Sequence, residues 1–261
     1  MSMSYLIDVQ GTLIDDVNKE PIEGAIAFIE SLNASKIPYV VITNNTKIPS
    51  VEFHQFLCNL GFAIPKNNYL DPFMTLEKVL HVKAIRSFGA QEFLDVMETL
   101  GYEQNAQNPE AIVIASKKDF DANDYASMIE LVLGGAKIVG MHATSIYAKD
   151  KRRYPGVGAI LEMLSYATGA EYSVVGKPST LFYSEALKRL QMQADVKNFD
   201  EITIISDDAI GDLVGAKALG MKTILVLSGK CQSEAEVLHV KSSLDAIVPN
   251  IGHIKGEECK R

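Results

Sequence analysis

The sequence predicts an α/β protein: a Rossmann-like, doubly wound parallel-sheet core with a second α/β segment inserted into it. Three observations carry this. Short apolar runs alternate with amphipathic stretches, the grammar of strands joined by helical crossovers. Several of those runs end in polar or charged residues, as strands do where they reach a ligand site. The same alternation continues through residues 78–172 before the pattern of the first part resumes.

The elements follow in order. "YLI" from Tyr5 is a first buried strand. "IEGAIAFIESLNASK" has apolar residues at helical spacing and leads into "IPYVVITNNT", a second strand that ends in polar residues. "PSVEFHQFLCNLGF" and "MTLEKVLHV" read as helices. Within the inserted segment, "AIRSFG", "AIVIAS" and "AKIVGM" read as strands, and "AQEFLDVMETLG" and "ANDYASMIELVLGG" as helices. The core then resumes with "YSVVGKPS", strand then loop, and with the helix "TLFYSEALKRLQ". "EITIISDD" is a strand, "GDLVGAKALG" a helix and "KTILVLSG" a strand. The expected division is therefore a core of residues 1–77 and 173–261 and an insertion of residues 78–172.

Composition bounds the function. The 261 residues are enough for one large or two smaller cores, and 47% apolar with 22% charged residues is the make-up of an ordinary globular chain. A net charge of -8 argues against nucleic acid or an anionic membrane as partner, although a local site can still take an anion. Cys58, Cys231 and Cys259 have no close spacing, which fits a reducing compartment. The first strand begins by Tyr5, no signal peptide is expected, and no apolar run nears the ~18 residues of a membrane span. A cytoplasmic setting follows.

Four groups fall at the expected carboxyl ends of strands: Asp8, Thr43-Asn44-Asn45, Lys177 and Asp207-Asp208. Each has a bland reading alone. Asp8 is a cap, Thr43 and Asn44 an ordinary polar turn, Lys177 a solvated loop residue, and Asp212 a first-turn acid favoured by a helix dipole. Together they supply a nucleophile, hydroxyl and amide donors, a cation and further carboxylates. That set matches Mg²⁺-assisted phosphoryl transfer through an aspartyl phosphate.

These residues also carry a resemblance. The chain resembles the haloacid dehalogenase (HAD) superfamily of phosphatases, in the branch with a large α/β cap similar to NagD. The family's Asp-x-Asp-Gly-Thr stands here as Asp8-Val9-Gln10-Gly11-Thr12, and its strand followed by Thr-Asn as Val40-Val41-Ile42-Thr43-Asn44. Its Gly-Lys-Pro is Gly176-Lys177-Pro178, and its last acidic motif is Ser206-Asp207 with Asp212 five residues on. The resemblance implies Asp8 as nucleophile, with Mg²⁺ held by the Asp8 carboxylate, the backbone carbonyl of Gln10 and Asp207. It further implies Thr43 and Asn44 on the phosphoryl oxygens, Lys177 neutralising charge, and Asp208 or Asp212 orienting waters or Lys177. The partner so implied is a small phosphorylated molecule, with a homodimer compatible.

Gln10 departs from the pattern. In the family the second aspartate protonates the leaving group and then activates water, and an amide does neither. Its loss costs typically ~10²–10⁴ in rate, least where the leaving group needs no proton, as in phosphoramidates, acyl phosphates or pyrophosphate. A subgroup resembling phospholysine/phosphohistidine inorganic pyrophosphate phosphatase also lacks this acid, and its cap is similar to "YAKDKRRYPGVGAILEMLSYATG" here. Within that stretch Lys149, Lys151, Arg152 and Arg153 form a basic cluster, either facing an anionic substrate or lying in a solvated turn. His142, after a strand, either faces the site or is a polar loop residue. Two alternatives stay open: a phosphate-binding protein without turnover, supported by Gln10, and a metal-free dehalogenase, opposed by Asp207 and Asp212.

Overall fold

The computed structural model describes residues 4–104, 107–149 and 152–254. Its strands, in chain order, are β1 (Ser4–Asp8), β2 (Tyr39–Ile42), β3 (Tyr69–Leu70), β4 (Ala84–Phe88), β5 (Glu103–Gln104), β6 (Ala111–Ile114) and β7 (Lys137–Gly140). There follow β8 (Ile146–Lys149), β9 (Arg152–Pro155), β10 (Tyr172–Val174), β11 (Ile202–Ser206), β12 (Lys222–Val226) and β13 (Ala246–Val248). The helices are α1 (Ala25–Ala34), α2 (Ser50–Asn59), α3 (Pro72–Val79), α4 (Gln91–Thr99), α5 (Ala122–Leu133), α6 (Val157–Thr168), α7 (Thr180–Gln191) and α8 (Val214–Ala218).

The chain divides into two units. One comprises Met1–Thr43, Val51–Leu70 and Tyr183–Arg261; the other comprises Asn44–Ser50 and Asp71–Phe182. The first unit holds a six-stranded sheet in the order β13-β12-β11-β1-β2-β3, parallel throughout. Its central strands bury every residue, as parallel strands covered on both faces do: Leu6 and Ile7, Val40 to Ile42, Ile204 and Ile205 are all sealed from solvent.

The second unit has its own five-stranded parallel sheet, ordered β10-β7-β6-β4-β5, and a two-stranded hairpin of β8 and β9. Strand alternation sorts β6 between two cores. Ala111 and Val113 join Phe73, Leu76, Phe93 and Met97 of α3 and α4, while Ile112 and Ile114 join Met128, Leu161 and Leu164 of α5 and α6.

Several elements differ from expectation. The "YSVVG" strand was assigned to the core, but β10 pairs with β7, Tyr172 opposite Ile138, and Val175 is buried in the second unit's core. Helix α3 starts before "MTLEKV" because Asp71 caps it, accepting from the Met74 N–H at 3.2 Å, with Pro72 in the first turn. It packs Phe73 and Leu76 against Ile85 and Phe93, so residues 71–77 lie in the second unit. The "GDLVGAKALG" helix opens as a wide π turn over Ala209–Leu213, in which the Leu213 N–H reaches the Asp208 carbonyl five residues back at 3.3 Å. The basic stretch is an antiparallel hairpin rather than a plain loop, with Arg152 and Arg153 exposed. Lys151 and Cys259 lie outside the described residues. No helix among the described residues is long and apolar enough to cross a membrane.

Candidate active site

In the first unit, three neighbouring strands in the order β11-β1-β2 deliver their carboxyl ends side by side. Asp8 ends β1 level with Ile42 of β2, Thr43 follows β2, and Asp207 follows β11. Asp8 and Asp207 are each 5% exposed and Thr43 is fully buried.

The loop after Asp8 is tightly folded. The N–H groups of Thr12, Leu13 and Ile14 all point at the Val9 carbonyl, at 3.3, 2.8 and 3.0 Å, and the Gly11 N–H donates to Ile14 O at 2.8 Å. Gly11 adopts φ +74°, the left-handed region open to glycine, and a Cβ there would stand 2.1 Å from Asp207 Oδ2 and 3.0 Å from Gly229 Cα. The loop can lie against Asp207 only because this residue has no side chain. Ser228 Oγ donates to the Gly11 carbonyl at 2.7 Å and fixes the approach from the other side.

Gln10 turns its side chain to β2. The Thr43 hydroxyl donates to Gln10 Oε1 at 2.9 Å, so the amide engages the hydroxyl expected on the phosphoryl oxygens.

The acidic residues divide the work. Asp207 Oδ2 accepts the Lys230 N–H at 2.6 Å. Burial, then the charge of Asp8, pushes the Asp207 carboxyl well above the usual carboxylate range, with Asp212 and Asp208 adding to the effect and the Lys230 N–H opposing it. Asp208 accepts from the Gly211 N–H at 2.8 Å and from Lys230 Nζ at 2.6 Å. Asp212, 5% exposed, accepts the Ser206 hydroxyl at 2.7 Å. The sequence reads "KTILVLSG" only as a strand and does not single out Ser228, Gly229 and Lys230. Their position just beyond β12, a neighbour of β11, was the available signal.

Asp8 and Asp207 are both buried, and the Asp8 charge adds to the raised proton affinity of Asp207, so together they make a donor set that a divalent cation relieves. Among the described residues no cluster of three His, Cys, Asp or Glu side chains is arranged to hold a metal. A magnesium site of two carboxylates, a backbone carbonyl and retained waters needs no third such side chain, so the residues present fit the ion.

Asn44 and Lys177 lie in the second unit. Asn44 clasps the Lys177 backbone: its Oδ1 accepts the Lys177 N–H at 2.9 Å and its Nδ2 donates to the Lys177 carbonyl at 3.4 Å. That carbonyl also accepts the Ala143 N–H at 3.1 Å. Lys177 is 3% exposed. His142 is buried, and its Nδ1 accepts the Thr144 N–H at 3.4 Å, which leaves Nε2 to donate to Ser116 Oγ at 3.0 Å. Burial, and secondarily the Lys177 charge, lowers its pKa to about 4, so the ring is neutral near pH 7.

The chain is similar to known proteins in sequence and fold. A family model described as haloacid dehalogenase-like hydrolase matches residues 5–103, and a second HAD-hydrolase-like model matches residues 174–254. The chain belongs to the haloacid dehalogenase-like hydrolases. Among HAD-like relatives, haloacid dehalogenase-like hydrolase domain-containing protein 2 of Mus musculus is 28% identical over 89% of this chain and 87% of its own. Phospholysine phosphohistidine inorganic pyrophosphate phosphatase of Homo sapiens is 25% identical over 94% of this chain and 90% of its own. The structure of NagD from E. coli K-12 superposes with a TM-score of 0.76 at 20% identity, covering 98% of this chain and 99% of that one. The fold is thus that of the NagD-type HAD phosphatases.

Proposed function

We propose that this hydrolase is a magnesium-dependent phosphatase that transfers the phosphoryl group of a small substrate to Asp8 and then to water. The observation that carries the reading is the pair of buried carboxylates, Asp8 and Asp207, at the carboxyl ends of adjacent parallel strands, with Gly11 lying against Asp207 where a side chain would collide with its carboxylate. Asp8, Asp207 and the Gln10 carbonyl would hold magnesium, which when bound supplies positive charge against the phosphoryl oxygens. Asp8 attacks phosphorus as the carboxylate. Thr43 and Asn44 are assigned to the phosphoryl oxygens and Lys177 to charge neutralisation, on the strength of the motif they complete. Asp208 and Asp212 hold the turn after β11 in which Asp207 stands. We read the second unit as the cap of the NagD-type branch.

Gln10 directs the substrate class. It hydrogen-bonds as an amide and transfers no proton, so substrates whose leaving groups need none are favoured over alkyl phosphate monoesters. Phosphoramidates and pyrophosphate, the classes in the name of the human relative, belong to that group. The bond from Thr43 to Gln10 Oε1 also favours a second reading, phosphate binding with little or no turnover, since it engages a hydroxyl otherwise assigned to substrate. We take the setting to be cytoplasmic and the partner to be a small phosphorylated molecule, without nucleic acid or membrane.

A panel of phosphoesters, phosphoramidates and pyrophosphate, assayed with Mg²⁺ and with excess chelator, tests the proposal. Multiple turnovers that stop on chelation and return with Mg²⁺ support it. Stoichiometric binding without turnover favours the second reading, and turnover undiminished in chelator contradicts the metal assignment.

A further inference from the structure

The second unit repeats in its own sheet the arrangement that places ligands at carboxyl strand ends. Its neighbouring strands β10, β7 and β6 are followed by Lys177, His142 and Ser116 respectively. Val174 and Ile114 both pair with Gly140, so the three strand ends are level and the three residues emerge side by side. Two of them, Lys177 and His142, are buried polar groups, 3% and 6% exposed. Burying a lysine and a histidine together calls for a structure that keeps only one of them charged.

The contacts supply it. Both His142 nitrogens are committed, Nδ1 to the Thr144 N–H at 3.4 Å and Nε2 to Ser116 Oγ at 3.0 Å. The Nδ1 contact closes the turn from residue 142 to residue 144, and the residue inside that turn, Ala143, places its N–H on the Lys177 carbonyl at 3.1 Å. Asn44 holds the same peptide from its other side, through the Lys177 N–H at 2.9 Å. The Lys177 backbone is therefore gripped by two structures, and only one of them belongs to the recognised motifs.

We propose that His142 is a positioning residue for Lys177: as a neutral imidazole tied to Ser116, it sets the turn whose Ala143 N–H fixes the lysine backbone, without placing a second cation beside the ammonium. Lys177 is the charged group that bears on the ring. The inference rests on the reading of Lys177 as the charge-neutralising residue.

The test is a mutant cycle. His142→Leu removes both ring contacts. His142→Asn keeps an acceptor where Nδ1 stands, and Lys177→Met removes the cation. Turnover of p-nitrophenyl phosphate with Mg²⁺ is measured for each, with orthovanadate affinity by calorimetry as a readout that needs no turnover. His142→Leu is expected to lower kcat, or vanadate affinity, about tenfold, a fraction of the ~10²-fold cost of a 1 Å misplacement because Asn44 still holds the lysine backbone. His142→Asn is expected to recover most of the loss, and His142→Leu is expected to cost nothing further in the Lys177→Met background. A loss of equal size in both backgrounds, an asparagine variant no better than leucine, or no loss at all overturns the proposal. Should His142→Leu fail to fold, Ser116→Ala, which removes only the Nε2 acceptor, carries the same comparison. If Lys177→Met itself behaves as wild type, it is the reading of Lys177 that fails, and the cycle shows this separately.

Discussion

Replacing Gln10 with aspartate returns a carboxyl group to the position from which this family protonates a leaving group. The wild-type amide sits with Oε1 2.9 Å from the Thr43 hydroxyl, so its end lies within hydrogen-bond reach of a group assigned to the phosphoryl oxygens. A carboxyl on the same loop, one methylene shorter, starts from the backbone held by the convergent N–H groups onto Val9 O. A positioned general acid contributes ~10²–10⁴ in rate. The lower bound, ~10²-fold or about 2.7 kcal/mol of barrier, is the fitting expectation because the new side chain must also leave Thr43. The assay is steady-state turnover with Mg²⁺ on an alkyl phosphate ester and on p-nitrophenyl phosphate. The alkyl ester is expected to gain most, since its alkoxide cannot leave without a proton. If both substrates rise together, hydrolysis of the aspartyl phosphate is the shared slow step, and a burst in the wild type shows it. A Gln10→Asp protein that folds, binds Mg²⁺ and gains on no substrate refutes the reasoning.

Two further outcomes follow from the structure. His142 has a pKa lowered from 6.5 to about 4 by burial and by Lys177, so the folded state resists its protonation. Its contribution is fully present above the unfolded value and is lost as pH falls from about 6.5 toward 4. At 1.36 kcal/mol per unit that amounts to about 3 kcal/mol. Denaturant unfolding across this range is expected to lose that much more stability in the wild type than in His142→Asn, and equal slopes contradict the buried neutral ring. Gly11→Ala is expected to impair Mg²⁺ binding and turnover, because its Cβ would stand 2.1 Å from Asp207 Oδ2. Gly101→Ala is the control: it shares the positive φ, at +78°, but meets nothing within 4 Å, so it is expected to lose ~1–2 kcal/mol of stability without loss of activity.

Much of the fold was legible because buried parallel strands announce themselves. "YLI", "YVVI" and "AIVI" are unbroken apolar runs, "ITIIS" is apolar but for Thr203 and Ser206, and each is an internal strand of its sheet. Short edge strands such as Tyr69–Leu70 and Glu103–Gln104 carry too few residues for any periodicity, and neither was foreseen. Strand β10 was recognised as a strand but given to the wrong sheet. Pairing partners are set by tertiary packing, here Val175 in one core with Phe73 and Phe93, and local sequence holds no record of that. In the site, the ends of the first strands and of "ITIIS" could be read residue by residue. Lys230 and Ser228 carry only the weaker signal of standing just past a strand, since they offer a backbone N–H and a hydroxyl to neighbours distant in sequence. The partners of His142 were hidden for the same reason: Ser116 lies 26 residues away, and only the second sheet brings the two together.

The central claim is that Asp8 is phosphorylated during turnover. The direct measurement is to quench the enzyme in acid during turnover of the best substrate from the panel, reduce it with borohydride and map the peptides by mass spectrometry. The account expects Asp8, alone among the carboxylates, to be recovered as the reduced homoserine, with labelling abolished by chelation before the reaction and absent in Asp8→Asn. Sustained phosphate release with no modification at Asp8, or turnover surviving in Asp8→Asn, would contradict it.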